Sequence, residues 1–595
     1  MKNIPFIVVL AAFAFSAVAQ ADPGLSPTPP AFDLESALAS STDPGDLGTS
    51  SALDDLLSRG DPQSSVSGPV ATASALARGP ASARDPASVR AVASAELNEI
   101  RSARNDKNTL RAKQLVDARR YQEASVLLFQ MSRSPQYAGQ SAQIKYVLGL
   151  MLFEMKLNQS AAFVFYDLIR DETRKPAHGG SKYLKLGLQK LAIAADLLDS
   201  DVLLKYAIRQ VDENDFPAAN RDMLFYRMGE IKLFDKKYDE AARLFARVGR
   251  GSLFFSKAKY REGLAYAEAK QLDSAASAFD QLAAASSGIT DRNRVNALMG
   301  KARTLYQKGQ WDAALEAYRK IPRDTEQWHE SLFEGAWADL RAARFRSAIS
   351  NFQSLHSAYY EDFYQPESLL LRAIVYLYIC RYDEMDKVLD LFFRIYRPVD
   401  RDMRSALTTL SDPTALYSEL SKIQTNFEAW KLNNAARKGS VLPFLVARKI
   451  LKEGDVHRSF AYLQRLAEER RRIAAMPAGW TGSGVGRYST EVVKRRIQAT
   501  QVLAGREIRR HVILLVNDLR DLFEQADLLR FERLSGKKEA LKKEIAGKGL
   551  TKAKIEEETQ RDYLIQNGYE YWPFTGEYWL DEIGNYHFVG TQACE

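Results

Sequence analysis

Ala241, Ala275, Ala314 and Ala348 stand 34, 39 and 34 residues apart. Each follows a two-residue mark: Tyr238-Asp239, Leu272-Asp273, Trp311-Asp312 and Phe345-Arg346. Each precedes a large ring by four residues, at Phe245, Phe279, Tyr318 and Phe352. A second small residue lies twelve positions earlier in every unit, at Gly229, Gly263, Ala302 and Ala336. One small residue on each helix of a pair lets two backbones approach, and rings fill the gaps beside them. A period near 34 with this content is the pattern of stacked helix–turn–helix units. One such unit cannot bury its own apolar face, so neighbours stack into a solenoid with an extended concave surface.

These residues resemble the tetratricopeptide repeat (TPR) family over roughly residues 112–395, most strictly from 223 to 356. Looser units flank that core. Tyr121-Gln122-Glu123-Ala124 leads to Leu128, Leu148-Gly149 is followed by Ala161 and Phe165, and a degenerate unit covers Tyr183–Ile208. In Leu370–Phe393, Met385 stands where alanine belongs. The consensus leading Trp is absent from most units, and the excess between Ala275 and Ala314 implies a loop near Ser286–Arg292.

The resemblance implies that the first helix of each unit lines a groove that holds a partner protein. Its ligand-facing positions fall here on Tyr226, Tyr260, Met299 and Phe333, and one turn further on Glu230, Leu264, Arg303 and Trp337. Lys257, Asn296 and Arg341 project the same way. The Lys/Asn clamp by which some members hold a C-terminal carboxylate is not reproduced. Such a groove suits an apolar or aromatic-bearing peptide or helix. The competing reading is that the rings only pack between neighbouring first helices.

The ends of the chain differ in character. Met1-Lys2, an apolar stretch from Ile4 to Val18, and small residues at Ala17, Ala19 and Ala21 read as a signal peptide (1–21), cleaved near Ala19 or Ala21. No later run is long enough to span a bilayer, so an exported chain without a transmembrane span in its mature form is expected. Residues 22–87 form a leader rich in Pro, Ser and Ala and poor in large apolar residues, expected to be disordered. The solenoid is expected over 88–397, a helical extension over 398–476, and a Gly/Ser linker over 477–489. Long helices follow over 490–562. Ile508, Val512, Leu515, Leu519, Leu522, Ala526 and Leu529 there make a heptad stripe, fit for a short coiled coil or a fold-back on Arg458–Arg472. An aromatic tail, irregular or β, closes the chain at 563–595.

The fold class is therefore all-α: a TPR-like helix–turn–helix solenoid with a helical C-terminal module. In the tail, Trp572, Phe574, Tyr578 and Trp579 either dock on the last helices or offer a recognition patch to a protein or a cell-wall sugar. The last thirty or so residues look like the endings of TPR proteins of gliding or predatory bacteria. Acidic residues interleaved among the rings argue against nucleic acid.

Signatures of chemistry are sparse. The six histidines are scattered without metal-ligand spacing, and Gly482-Ser483-Gly484-Val485-Gly486 lacks the preceding apolar strand that a phosphate loop needs. No catalytic, cofactor or metal residues are expected. Two cysteines exclude a disulfide-stapled scaffold, and the sequence leaves open whether Cys380 and Cys594 pair. A net charge of +8 over 595 residues does not by itself indicate nucleic acid. The expectation is a non-catalytic periplasmic scaffold that recruits envelope or motility partners through its groove. The alternative is an envelope factor bound to peptidoglycan or the outer membrane through the tail and basic helices.

Overall fold

The computed structural model describes residues 86–104, 106–174, 181–286, 291–360, 363–427, 439–545, 578–580 and 582–586. The signal peptide, nearly all of the leader, most of the Ser286–Arg292 loop, Trp572, Phe574 and Cys594 lie outside them. No helix among the described residues is long and apolar enough to cross a membrane.

A lead helix α1 (Pro86–Arg104) precedes eight antiparallel pairs. The first three are α2 (Lys107–Asp117) with α3 (Tyr121–Arg133), α4 (Ser141–Glu154) with α5 (Asn158–Thr173), and α6 (Lys182–Leu198) with α7 (Val202–Ile208). The strict centre follows: α8 (Arg221–Phe234) with α9 (Tyr238–Ala246), α10 (Phe255–Glu268) with α11 (Leu272–Ala285), and α12 (Arg292–Gln307) with α13 (Trp311–Arg319). The last two are α14 (Gln327–Arg341) with α15 (Phe345–Leu355) and α16 (Pro366–Tyr378) with α17 (Tyr382–Thr409).

The ladder alanines are the contact points. Ala241, Ala275, Ala314 and Ala348 are fully buried, and the following rings Phe245, Phe279, Tyr318 and Phe352 are buried beside them. A Cβ built on Gly229 would stand 2.6 Å from the Phe245 ring, and one on Gly263 would stand 2.7 Å from Phe279. Only glycine admits the ring at those positions.

Every pair turns in the same way. One residue at each turn is left-handed: Arg119, Lys156, Asp199, Lys236, Lys270, Gly309, Ala343 and Cys380. At most of these turns the next N–H reaches back over the helix end, as from Gln271 to the Tyr266 carbonyl at 2.9 Å and from Arg381 to Tyr376 at 2.8 Å. Those bonds satisfy carbonyls that a helix C-terminus leaves open. The Asp of the two-residue mark also has work here. Asp239 accepts from Gln271 at 2.8 Å, Asp273 from Lys308 at 2.6 Å, and Asp312 pairs with Arg344. Each bond ties one unit to the next.

Beyond the pairs the structure departs from the expected boundaries. The solenoid does not end at 397, because α17 runs unbroken through Pro398 to Thr409. It is followed by α18 (Pro413–Thr425), α19 (Phe444–Lys452) and α20 (Gly454–Ala474). The expected linker at 477–489 is no linker: α21 (Ala478–Thr481) leads straight into α22 (Gly484–Ile545), six residues before Thr490. The glycines serve close approach rather than flexibility. Trp480 is buried and donates to Ser125 Oγ at 3.0 Å, while a Cβ on Gly484 would lie 3.1 Å from Phe129. Ser483 Oγ then caps the new helix by accepting from the Gly486 N–H at 3.2 Å.

The heptad stripe of α22 does not need a second chain. Ile508, Val512, Leu515, Leu519, Leu522, Ala526 and Leu529 are buried in one core with residues of α16, α17 and α18. Phe523 stacks on Phe393, with ring centroids 5.8 Å apart. The earlier part of α22 packs along α20.

Candidate functional site

The concave wall follows from which helices touch. First helices of neighbouring pairs meet, α8 with α10, α10 with α12 and α12 with α14, while the matching second helices keep only marginal contact or none. The first helices therefore stand on the inner side.

On that wall the ring column is mostly mortar. Tyr226 is buried between Phe245 and Phe254, at 5.9 and 5.5 Å, and its hydroxyl donates to Glu230 at 3.0 Å. Met299 is buried, as is Trp337. Tyr260, half-buried, leans on Phe279 at 5.8 Å, and Phe333 packs against the last pairs. Asn296 accepts from Gln327 at 3.3 Å. Arg341 is exposed, with its guanidinium 5.3 Å from the Trp311 ring centroid.

Charge lines the rest. Arg303 forks onto Glu334 at 2.6–3.1 Å and reaches Glu330 at 3.4 Å, while the Tyr318 hydroxyl donates to Glu334 at 2.9 Å. Two pairs earlier, Arg227 sits among Asp201, Glu230 and Asp196. Burial, reinforced by the Arg227 charge, holds the Lys257 ammonium below its usual pKa.

Glu330 is the informative residue. Its side chain keeps 56% of its surface open to solvent, yet burial raises its carboxyl pKa. Glu330 therefore keeps access to water on the inner wall while neighbouring groups crowd its carboxylate. Lys452 on α19 repeats the pattern from the other side, exposed and yet lowered by burial. The charges of Lys449 and Lys452 act on Glu330, and those of Lys452 and Arg448 help burial push His329 down to about 3. The concave side thus has a mixed-charge lining on α10, α12 and α14, with the α19 cations near enough for their charge to act on α14.

The two ends of the solenoid are covered by the chain's own C-terminal helices. At the first end Glu469 of α20 is buried and accepts from the N–H groups of Gln159 and Ser160 at 2.7 and 3.0 Å, capping α5 from 310 residues away. Tyr462 donates to Gln159 at 2.5 Å and accepts from Arg496 at 2.7 Å. At the other end α22 lies on α16, α17 and α18, and Arg509 donates to the Leu407 carbonyl at 3.1 Å. Between these ends α22 has no more than marginal contact with α8–α15. Sequence reasoning found the stripe on α22 and missed Glu469, which nothing local marks as a cap.

One further cluster has ligand-type chemistry. Asp455, Glu507 and His511 bring oxygen and nitrogen atoms within 4.8 Å of one another. The Arg510 guanidinium already lies 2.6 Å from Asp455 and 2.7 Å from Glu507, and His511 lies 2.8 Å from Asp455. Arginine balances both carboxylates, and the cluster clamps α20 to α22.

Of the predicted tail residues, Tyr578 receives a hydrogen bond from Gln353 at 3.3 Å. Ile583 is buried, and the Gly584 N–H donates to Ser354 Oγ at 2.8 Å. Trp579 points out, 61% exposed, as does Leu580 at 68%. The described tail residues form turns, without a strand. Cys380 is disulfide-bonded.

No protein-family model and no curated protein matches the chain. Among solved structures it is similar to a Rap protein complexed with competence and sporulation factor, at 12% identity and a TM-score of 0.24, covering 62% of this chain and 99% of that one. It is also similar to the APC/C hetero-tetramer Cut9–Hcn1, at 11% identity and a TM-score of 0.20, covering 67% and 92%. The architecture of this chain, a TPR-like helix–turn–helix solenoid closed by a helical C-terminal module, rests on its own helix pairs.

Proposed function

We propose that the chain is a non-catalytic, exported protein-interaction scaffold that holds a partner segment in the hollow between α10–α14 and α19. The observation that carries this is Glu330, open to water yet desolvated, opposite Lys449 and Lys452. The exposed lining favours a polar segment of mixed charge over the apolar one expected from the ring column, because Tyr226, Met299 and Trp337 are spent on packing. Lys257, Tyr260, Asn296, Arg303, Phe333 and Arg341 remain the wall positions within a partner's reach. A periplasmic setting follows from the signal-peptide reading and envelope partners from that setting.

A second reading, an envelope factor bound through the tail to peptidoglycan or an outer-membrane complex, is favoured by one observation. Trp579 and Leu580 are held outward on a turn that Gln353 and Ser354 anchor. A cross-linking pull-down from the periplasm with Lys257→Glu/Lys452→Glu beside Trp579→Ala separates the two. Loss of partners in the charge-reversal variant alone supports the hollow. Loss in Trp579→Ala alone moves the function to the tail, and N-terminal sequencing that finds Met1 retained removes the export.

A further inference from the structure

The basic residues of α20 and α22 cluster where these helices turn over the first two pairs. Between Ala474 and Ser483 the chain carries no charged residue, and Ala474, Ala475, Pro477, Ala478 and Gly479 are exposed. A Cβ on Gly479 would meet nothing within 4 Å, so the tip faces open space. Around it stand exposed cations: Arg470, Arg471 and Arg472 in the last turns of α20, Arg487 in the first turn of α22, and Arg133 and Lys156 from α3 and the α4–α5 turn. Their adjacency is direct. Arg472 donates to the Lys156 carbonyl at 3.2 Å, and Arg133 lies 4.6 Å from the Phe129 ring centroid, the ring that Tyr488 and Gly484 pack upon. The acidic residues nearby are engaged: Glu468 lies 3.9 Å from Arg472, Asp167, within reach of the Arg133 charge, is paired with Lys145 and Arg170, Glu123 is held by Arg120, Glu491 by Arg495, and Glu469 is buried on α5.

We propose that this tip and its ring of cations form a docking surface for an anionic lipid bilayer, met end-on. This goes beyond the scaffold reading and does not depend on the hollow. The shape separates a membrane from a nucleic acid. Arg470, Arg471 and Arg472 are consecutive on a helix, so they fan about 200° around its axis and cannot all follow one strand or groove. A plane of headgroups struck by the helix end meets all three. Binding of single strands needs exposed rings for base stacking, and here Trp480 is turned onto Ser125 and Tyr488 onto Phe129. Small uncharged residues at the centre with arginines at the rim suit contact at the headgroup level without deep insertion.

The test is vesicle flotation of the full mature chain with phosphatidylcholine vesicles, with and without about one third phosphatidylglycerol. Basic residues near an acidic surface contribute about 5-fold each, so Arg470→Glu/Arg471→Glu/Arg487→Glu is expected to weaken binding by ~100-fold or more, and salt to weaken the wild type. Lys320→Glu, an exposed cation at the end of α13, is expected to change nothing. Equal binding to uncharged vesicles overturns the proposal, as does binding unchanged in the triple variant. So does tight binding to an oligonucleotide without any to vesicles.

Discussion

Replacing Gly263 and Gly335 by alanine should move stability in opposite directions. Both lie inside first helices, where exchanging glycine for alanine ordinarily gains about 1 kcal/mol. At Gly335 the nearest atoms to the new methyl group are 3.9 Å away, ordinary contact, so the gain of ~0.5–1 kcal/mol is realised. At Gly263 the methyl group would stand 2.7 Å from Cε1 and Cζ of Phe279. Comfortable carbon contacts need about 3.5–4.0 Å, so the ring must retreat by roughly 1 Å. It cannot, because Phe279 is 1% exposed and the Gly300 backbone of the next pair holds its other side, where a Cβ would lie 2.5 Å away. Overpacking of this kind costs about 1–3 kcal/mol, which offsets the helix gain of about 1 kcal/mol and leaves a net loss of up to about 2 kcal/mol.

Equilibrium urea unfolding followed by far-UV and near-UV circular dichroism reads the difference. The double variant Gly263→Ala/Phe279→Leu supplies the control, since shortening the ring frees the space the methyl group needs. The two changes should then couple favourably by ~1–2 kcal/mol. If Gly263→Ala stabilises the chain as much as Gly335→Ala, or if Phe279→Leu leaves its cost untouched, the small-residue and ring account of the repeat is wrong.

Three other outcomes follow from single contacts. Burial and the neighbouring Asp518 push the Glu367 carboxyl up to about 7 from an ordinary 4.5. Its contribution is therefore full below about pH 4.5 and lost as the pH rises through about 7, so Glu367→Gln should flatten that dependence and be more stable near pH 8 by roughly 1–3 kcal/mol. Lys236 is exposed and left-handed at φ 58°, so Lys236→Gly should stabilise by ~0.5–1 kcal/mol in thermal unfolding, and a loss would mean that the turn is not strained. Glu469→Ala strips two N–H groups at the start of α5 of their acceptor, so a loss of about 2–3 kcal/mol and faster amide exchange at Gln159 and Ser160 are expected. Unchanged exchange there would show that Glu469 is no cap.

The repeat was legible because close helix approach leaves a chemical mark, an Ala or Gly facing a ring at fixed spacing. The turn between helices leaves none: the left-handed position is filled by Arg119, Lys156, Asp199, Lys236, Lys270, Ala343 and Cys380, with glycine only at Gly309. Backbone bonds fix that turn, and they accept any side chain willing to bear the strain. The groove columns fell on the inner helices, yet exposure at each position depends on how far neighbouring pairs rotate, which no single unit encodes. Tyr226 thus sits in packing and Glu330, three pairs later, stays wet. The Gly/Ser run at 482–486 misled because glycine marks both slack chain and tight contact, and only the neighbours Trp480 and Phe129 decide between them.

A solenoid in which each pair touches only its neighbours can open and close like a spring, because no contact spans many repeats. This chain adds such contacts. Through α20 and α22 the first two pairs and the eighth are joined to the same pair of helices, by Glu469 and Trp480 at one end and the Ile508–Leu529 stripe at the other. Stretching the solenoid would therefore pull buried leucines from α17 and α18 or uncap α5. The pairs between, α8 to α15, are left with their inner wall largely clear of α22 but their span fixed. A hollow of fixed width loses less freedom when it is filled, so a partner need not supply the energy to order it. If a partner fills that wall as proposed, the C-terminal helices act on it from the ends, by tying the first two pairs to the eighth.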